Sequence, residues 1–376
     1  LKESLSFCIF IQIGMLPLII YFQYEAPAFS FLANVAAVPL ATCAFTLAFL
    51  LIFLPYTVFH EAISWMIQGV LWISRQSYGM LTIGHVPFLW VLLFYFMTGL
   101  WIWKKNGQNR HIRISLAYVI MIILIWIPMA RRKSLAFLDV GQGDCFVADT
   151  KSGAIIFDGG SSSEDQVGRY RILPYMKYLG YQKIQIAVMS HMDIDHYSGI
   201  KELLEMGKIK YLGLPEIPKD ETMKKIIGIA KKRGTTIFYL SRGRQITTKD
   251  GSLKVLHPQK NSQMEKNAAS LVMQGKILGY RVLLTGDVEK EGEEELLSEE
   301  LERADILKAA HHGSKNSTSN EFLQKVQPKQ TVISCGKQNR YGHPHLETIH
   351  RLQTYRTKIY RTDRSGAIIF FKRRDG

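Results

Sequence analysis

His191-Met192-Asp193-Ile194-Asp195-His196 follows directly on Ile184 to Met189, an apolar run that reads as a buried strand. Two imidazoles and two carboxylates within six residues are a ligand density for which packing has no use. A buried carboxylate without a counter-charge is costly, so the pattern predicts a cation held where the strand stops. Two later runs repeat the arrangement: Arg281 to Leu284 ends in Thr285-Gly286-Asp287, and Ile306 to Ala310 ends in His311-His312-Gly313-Ser314. Strand-end loops form the usual ligand edge of an α/β sheet, so three such strands side by side would bring their ligands to one site.

Outward from these runs, residues 131–376 read as one large α/β domain. Ala136 to Val140, Cys145 to Asp149 and Ala154 to Phe157 are short strand-like runs separated by glycines, expected to pair as an antiparallel meander. Helical periodicity marks Gly168 to Leu179, Ser198 to Glu205, Thr222 to Arg233, Lys290 to Ser298 and Ser319 to Val326. Gly141-Gln142-Gly143 is a tight turn and lacks the full dinucleotide-binding pattern.

Residues 1–130 have another composition, with six basic and three acidic residues, net +3, against net +12 for the remainder. Leu5 to Tyr21, Phe29 to Tyr56, Leu81 to Trp103 and Ile114 to Met129 are apolar stretches on the scale of about 20 residues that a bilayer crossing needs. They predict a polytopic α-helical membrane segment. Ala62 to Met80 is ambiguous between a span and an interfacial amphipathic helix. Trp65, Trp72, Trp90, Trp101 and Trp103 suit anchoring at the membrane interface. The basic loop Lys104 to Arg113 argues for a domain outside the cell after the last helix, whereas Arg131, Arg132 and Lys133 argue the opposite, so charge leaves the orientation nearly balanced. The chain opens at Leu1 inside an apolar helix and reads as a fragment of a longer protein. Cys8, Cys43, Cys145 and Cys335 have no CxxC spacing and are expected as core thiols. His60-Glu61 lacks the second histidine of a zinc-protease helix.

Six ordered motifs span the second part: Phe137-Leu-Asp-Val-Gly-Gln-Gly-Asp144, Ile156-Phe-Asp-Gly-Gly160, Ser190-His-Met-Asp-Ile-Asp-His196, Leu284-Thr-Gly-Asp287, His311-His-Gly-Ser314 and Asn339-Arg-Tyr-Gly-His-Pro-His345. In this order they closely resemble the metallo-β-lactamase-fold domain of the ComEC family of DNA-uptake proteins. Asn34 to Leu40 resembles the Asn-to-Pro signature of that family's competence membrane domain. The resemblance implies a four-layer αββα sandwich with two divalent ions at the edge between its sheets. His191 and Asp193 would hold one ion, Asp195 and His196 the other, with Asp287 bridging and His311 or His312 completing the second. Asp158 would orient the site from behind. The chain departs from the superfamily's His-x-His-x-Asp-His loop at Asp193, and His257 is the one candidate for the separate histidine that usually follows. Where the family shows Asn-Asn-x-Ser, the chain has Asn267-Ala268-Ala269-Ser270, which makes Asn267 a candidate site residue.

A carboxylate-rich ligand set is harder than a histidine-rich zinc site and suits Mn2+ alongside Zn2+. Two such ions activate water and clamp phosphoryl oxygens, the chemistry of phosphodiester hydrolysis. The basic excess favours a polyanion, with clusters at Lys224, Lys225, Lys231, Lys232 and Arg233 and at Arg242 and Arg244. Ser314 and Lys315, in the polar loop Gly313 to Ser317, are candidates to hold a phosphate, and His343 and His345 to contact the scissile group. Asp195, His343 and Lys315 are thus the expected catalytic residues.

By the family's role, the membrane part would belong to a channel for single-stranded DNA, and the second domain would degrade the non-imported strand on the outer face, where duplex DNA arrives. Membrane lipid, a DNA receptor, an ATP-driven translocase and further copies of the chain are the partners so implied. The chain itself has no Gly-x-x-x-x-Gly-Lys-Ser/Thr loop for ATP. Two rival readings are a non-catalytic DNA guide within a channel and a membrane-tethered hydrolase of small phosphoesters.

Overall fold

The structure, a computed structural model, describes residues 2–27, 30–53, 57–74, 79–103, 132–264 and 267–373. It divides into two compact units, Leu1–Met129 with Lys177–Gly180, and Ala130–Met176 with Tyr181–Gly376.

The first unit contains the helices Lys2–Gln23, Ser30–Leu50, Thr57–Ser74 and Phe88–Trp103, and two short strands, β1 (Glu25–Pro27) and β2 (Met80–Thr82), which pair antiparallel. Among the described residues one helical window, Ala33–Leu50, is long and apolar enough to cross a membrane, and Ile11–Gln23 and Phe88–Gly99 are shorter apolar helices. The expected span Leu5 to Tyr21 lies within the 22-residue helix Lys2–Gln23, whereas the expected span Leu81 to Trp103 is shortened, because β2 takes its start and the helix begins at Phe88. Ile114 to Met129 and the Lys104 to Arg113 loop lie outside the described residues. The ambiguous stretch from Ala62 belongs to a helix that begins earlier, at Thr57, and stops at Ser74. Pro39 lies inside the helix Ser30–Leu50, where it removes a backbone donor.

The second unit is built on two seven-stranded sheets. One has the order β16-β3-β4-β5-β6-β7-β8 and the other β15-β14-β13-β12-β11-β10-β9. The first comprises β3 (Ser134–Phe137), β4 (Phe146–Thr150), β5 (Gly153–Phe157), β6 (Ile184–Val188), β7 (Ile209–Pro215), β8 (Thr236–Leu240) and β16 (Ile368–Phe371). The second comprises β9 (Gln245–Thr248), β10 (Gly251–His257), β11 (Val272–Ile277), β12 (Tyr280–Leu284), β13 (Ile306–Lys308), β14 (Gln330–Ile333) and β15 (Lys358–Arg361). The opening meander pairs antiparallel as expected, with Phe137 opposite Phe146 and Ala148 opposite Ile155.

Side chains alternate across each strand, so one sequence serves two cores. Val282 and Leu284 join Phe137, Phe146, Ile155 and Phe157 between the sheets, whereas Leu283 faces outward to Phe322, Leu323 and Leu352. Phe322 and Leu323 come from the helix Asn320–Val326, and Leu352 from Leu346–Thr354, which the periodicity reading did not mark. On the outer side of the other sheet the helices Ile194–Glu205 and Glu221–Lys232 bury Ile200, Leu203, Leu204, Met223 and Ile226. The layers are therefore α, β, β, α. The expected helix Gly168 to Leu179 is a π-helical turn, Gly168–Ile172, running into Leu173–Tyr178. Cys145 and Cys335 are buried free thiols, as expected, but Cys43 is free and exposed.

The parallel runs matter most for function. β5, β6, β7 and β8 run parallel, as do β12, β13, β14 and β15. The carboxyl ends of β5, β6, β12, β13 and β14 lead into Asp158, His191, Asp287, His312 and Ser334, respectively.

Candidate metal centre

Backbone closeness comes first, because the ligand loops approach one another without room for side chains. A Cβ at Gly143 would lie 2.2 Å from Gly160 O and 2.6 Å from Asp195 O, and one at Gly160 would lie 2.5 Å from His196 N. The glycines of the Gly-Gln-Gly-Asp and Asp-Gly-Gly turns therefore let the meander touch the His191 to His196 loop. Asp144 N donates to Asp195 O at 3.0 Å, and Gly159 N to His196 O at 2.9 Å.

Three buried imidazoles are then turned the same way. His196 Nδ1 faces Asp158 Oδ2 at 3.0 Å, His312 Nδ1 faces Ser334 O at 2.9 Å, and His191 Nδ1 faces Ser190 Oγ at 2.9 Å. These partners fix the rings and leave each Nε2 buried without a hydrogen bond. His196 Nε2 and His312 Nε2 lie 3.2 and 3.3 Å from the same atom, Asp287 Oδ2, and His312 Nε2 lies 3.4 Å from Asp195 Oδ2. Asp195, His196 and His312 offer ligand atoms within 4.8 Å of one another, as do His191, His196 and Asp287. Orphaned inward nitrogens among carboxylate oxygens fit a divalent cation, which neutral imidazole and carboxylate together ligate.

Electrostatics says the same. Burial opposes charge on His196, yet Asp287 and Asp158 outweigh it and hold its pKa well above that of an ordinary histidine. His312 is likewise raised against burial, by Asp287 and Asp144. Asp287, although buried, is held well below the usual carboxylate range by His196, His312 and Lys308. His191 goes the other way, pushed down to about 3 by burial and by the charge on His196. Without a metal ion, protons on His196 and His312 balance the carboxylates; a divalent cation would take their place.

The remaining candidates divide. Asp193 starts the helix Ile194–Glu205, with its side chain 40% exposed and its Oδ2 3.7 Å from His191 Nε2, so it lies beside His191 at the edge of the centre. Asp193, Asp195, Asn267, Asp287, His311, His312, Tyr341 and His343 line one cavity of ≈ 300 Å³. His311, of the pair expected to complete the second position, is the more exposed: its Nδ1 faces Glu289 Oε1 at 2.9 Å and its Nε2 is 3.8 Å from Asp287 Oδ2. His311 and His312 both adopt left-handed backbone, at φ 46° and 53°, which reverses the chain after β13 and returns His312 to the centre.

Five expectations are corrected. His257 is not in the centre: its Nδ1 faces Ser270 O at 2.9 Å and its Nε2 is 3.5 Å from Glu295 Oε2, so the separate histidine of the superfamily has no counterpart there. Lys315 lines a second cavity with Lys290, Glu293 and Arg351, because its loop turns away behind Gly313. Ser314 is a turn residue, accepting from Asn316 N and Thr348 Oγ1. Arg242 is held by Glu295 and Glu299, both at 2.8 Å, and is not offered to a polyanion. His345 does not line the metal cavity; its Nδ1 accepts from Lys315 N at 3.2 Å.

Two residues of the centre carried no role in the sequence reading. Asp144, 4% exposed, could join His196 and Asp158, or Asp287 and His312, around an ion. Lys308, also 4% exposed, forms a close ion pair with Asp144 Oδ2 and lies 3.6 Å from Asp287 Oδ1. The signal for Lys308 was available: a lone charge inside the apolar run Ile306 to Ala310.

Comparison with known proteins agrees with this geometry. Residues 138–337 match the metallo-β-lactamase superfamily, and residues 2–108 match the competence protein family. ComE operon protein 3 of Bacillus subtilis (strain 168) is 31% identical over 400 residues, covering 97% of this chain and 51% of that protein. Competence protein ComA of Neisseria gonorrhoeae is 30% identical over 248 residues, covering 63% of this chain and 32% of that protein. The chain thus spans about half the length of the first relative and about a third of the second. Among solved structures, the metallo-β-lactamase fold protein YhfI from Bacillus subtilis aligns at a TM-score of 0.45 and 13% identity, over 63% of this chain and 99% of that one.

Proposed function

Because this chain belongs to the metallo-β-lactamase superfamily and, with its competence region, to the ComEC family of competence proteins, we propose that it acts in DNA uptake, its first unit belonging to a membrane channel for single-stranded DNA and its second hydrolysing the strand left outside. The observation that carries the hydrolase reading is the trio of buried Nε2 atoms, on His191, His196 and His312, converging on Asp287 and Asp195.

Divalent ions held there would supply an activated water and positive charge for the phosphoryl oxygens. The chain's own groups do the rest. Asp158 and Ser334 O fix the imidazoles behind the centre, so that little reorganisation accompanies reaction. His343, on the cavity wall, is pushed down to about 4 by burial and by the charges of His312, His311 and His345. At neutral pH it is a neutral imidazole whose buried Nδ1 lacks a partner, suited to hydrogen-bond a phosphate. The carboxylate-rich set favours Mn2+, with Zn2+ as the competitor. A phosphodiester polyanion suits the net charge of +12 on residues 131–376, and Lys225, Lys231, Lys232 and Arg233 are exposed on one helix and its end.

In this reading the chain is a multi-pass membrane protein with its second unit on the outer face, receiving duplex DNA from a receptor while an ATP-driven translocase draws one strand inward. The missing third imidazole at the first ion's position favours one alternative, in which the second unit guides DNA without cutting it.

The deciding experiment uses the full chain in detergent with end-labelled single- and double-stranded DNA, in Mn2+, Zn2+ or chelator, beside Asp195→Ala. Metal-dependent cutting by the wild type alone is expected, with binding that weakens steeply with salt. Salt-sensitive DNA binding without cutting in either metal would replace the nuclease by a guide. Cleavage of small phosphodiesters with no preference for DNA would replace it by a small-phosphoester hydrolase.

A further inference from the structure

Lys308 ends β13 in the middle of the centre, and three oxygen atoms hold its ammonium: Asp144 Oδ2, Gly286 O at 3.1 Å and, more distantly, Asp287 Oδ1 at 3.6 Å. The centre therefore contains a buried ammonium set among its carboxylates.

That charge divides Asp287 between two tasks. Its Oδ1 faces Lys308, and its Oδ2 faces His196 and His312. Asp144 is divided in the same way, with Oδ2 on Lys308 and Oδ1 3.5 Å from His312 Nδ1. Of the two ion positions, the one framed by Asp195, His196, Asp287 Oδ2 and His312 has four donors. The other has His191 and the partly exposed Asp193, with His196 and Asp287 only as shared donors, and His257 lies elsewhere.

We propose that Lys308 is a positioning residue that stands in for part of the second metal: paired with Asp144 and set 3.6 Å from Asp287 Oδ1, its ammonium confines tight binding to one divalent ion, at Asp195, His196, Asp287 and His312. A second ion beside His191 and Asp193 meets too few donors and the repulsion of a fixed cation, and is held weakly. The inference rests on the reading of this site as a metal centre, and is independent of whether DNA is the substrate.

The test is Mn2+ titration of the chelator-stripped full chain in detergent, followed by calorimetry and electron paramagnetic resonance. The wild type is expected to take one Mn2+ at least roughly tenfold more tightly than a second, with an isolated six-line signal at one equivalent. Lys308→Met/Asp144→Asn removes both members of the buried pair, so no orphaned charge remains. It removes the cation beside Asp287 Oδ1, and the second affinity should approach the first, with a spin-coupled signal. Lys308→Arg, which keeps the charge, should keep the one-ion pattern. Two equally tight ions in the wild type, or an unchanged ratio in a folded double variant, overturns the role given to Lys308. If the double variant fails to fold, the wild-type and Lys308→Arg titrations still decide, since two tight ions in either is incompatible with a blocking cation. No Mn2+ binding at all would instead overturn the metal-centre reading on which the proposal stands.

Discussion

Asp158 Oδ2 lies 3.0 Å from His196 Nδ1, and both side chains are fully buried. The carboxylate can only accept, so the ring gives its Nδ1–H and keeps Nε2 aimed at Asp287 Oδ2, 3.2 Å away. Asp158 reaches this place through a left-handed turn, φ 56°, at the end of β5, and its other oxygen accepts from Ser190 N at 2.7 Å. One carboxylate thus sets the direction of an imidazole and of the loop that carries it.

Asp158→Asn keeps an acceptor for Ser190 N but loses the charge that orients and enriches the His196 ring. Mn2+ affinity should fall about 10- to 100-fold, and the ion-free chain should lose melting temperature where His196 is protonated. Unchanged affinity in calorimetry would show that Asp158 serves the fold alone.

Metal binding should release protons. His196 and His312 are held protonated by Asp287, Asp158 and Asp144, with pKa values well above 6.5, and must be neutral to ligate. Affinity should therefore rise with pH, and binding heats at neutral pH should vary with the ionisation enthalpy of the buffer. The sign for stability is opposite. A raised histidine pKa stabilises the ion-free fold below about 6.5, and that contribution is lost as pH climbs through the raised value. The chelated chain should lose melting temperature on the alkaline side while the Mn2+-loaded chain holds it. Parallel profiles would mean that the protons and the ion do not share one site.

Gly143→Ala probes the backbone contact beneath the centre. The new Cβ would meet Gly160 O at 2.2 Å and Asp195 O at 2.6 Å, and neither atom is the end of a flexible side chain. Overpacking should cost about 1–3 kcal/mol and push apart the turns that carry Asp144 and Asp195. A lower melting temperature together with weakened Mn2+ binding is expected. Loss of one without the other would uncouple that contact from the site.

The sequence reading reached the centre because ligands crowd at strand ends, and six residues of one loop carried four of them. The antiparallel opening was legible from alternation, and the two sheets came from resemblance, since alternation cannot say which strand lies beside which. Asp144 stayed unassigned because a Gly-Gln-Gly-Asp turn reads as geometry; only the fold shows its carboxylate facing His312 and Lys308. Lys308 was passed over because it lies in an apolar run, where its charge was the clue. Lys315 was misplaced for the reverse reason. Closeness in sequence to His312 suggested closeness in space, but Gly313, at φ +84°, turns the chain toward another cavity.

His343 and His345 flank Pro344, with ring centroids 5.0 Å apart, yet they face different tasks. His343 lines the metal cavity, stacks on Tyr341 at 5.7 Å and is 6.1 Å from the His312 ring. His345 begins the helix Leu346–Thr354 and accepts from Lys315 N. His343→Ala should lower single-turnover cleavage about 100-fold at saturating Mn2+ while leaving Mn2+ affinity intact, the range expected for a group acting on the reacting phosphate. His345→Ala should act mainly through the loop it anchors, with a smaller loss in rate and a lower melting temperature. Equal rate losses at equal stability would place both imidazoles on the substrate, and an unaffected His343→Ala would leave the phosphate to the metal centre alone.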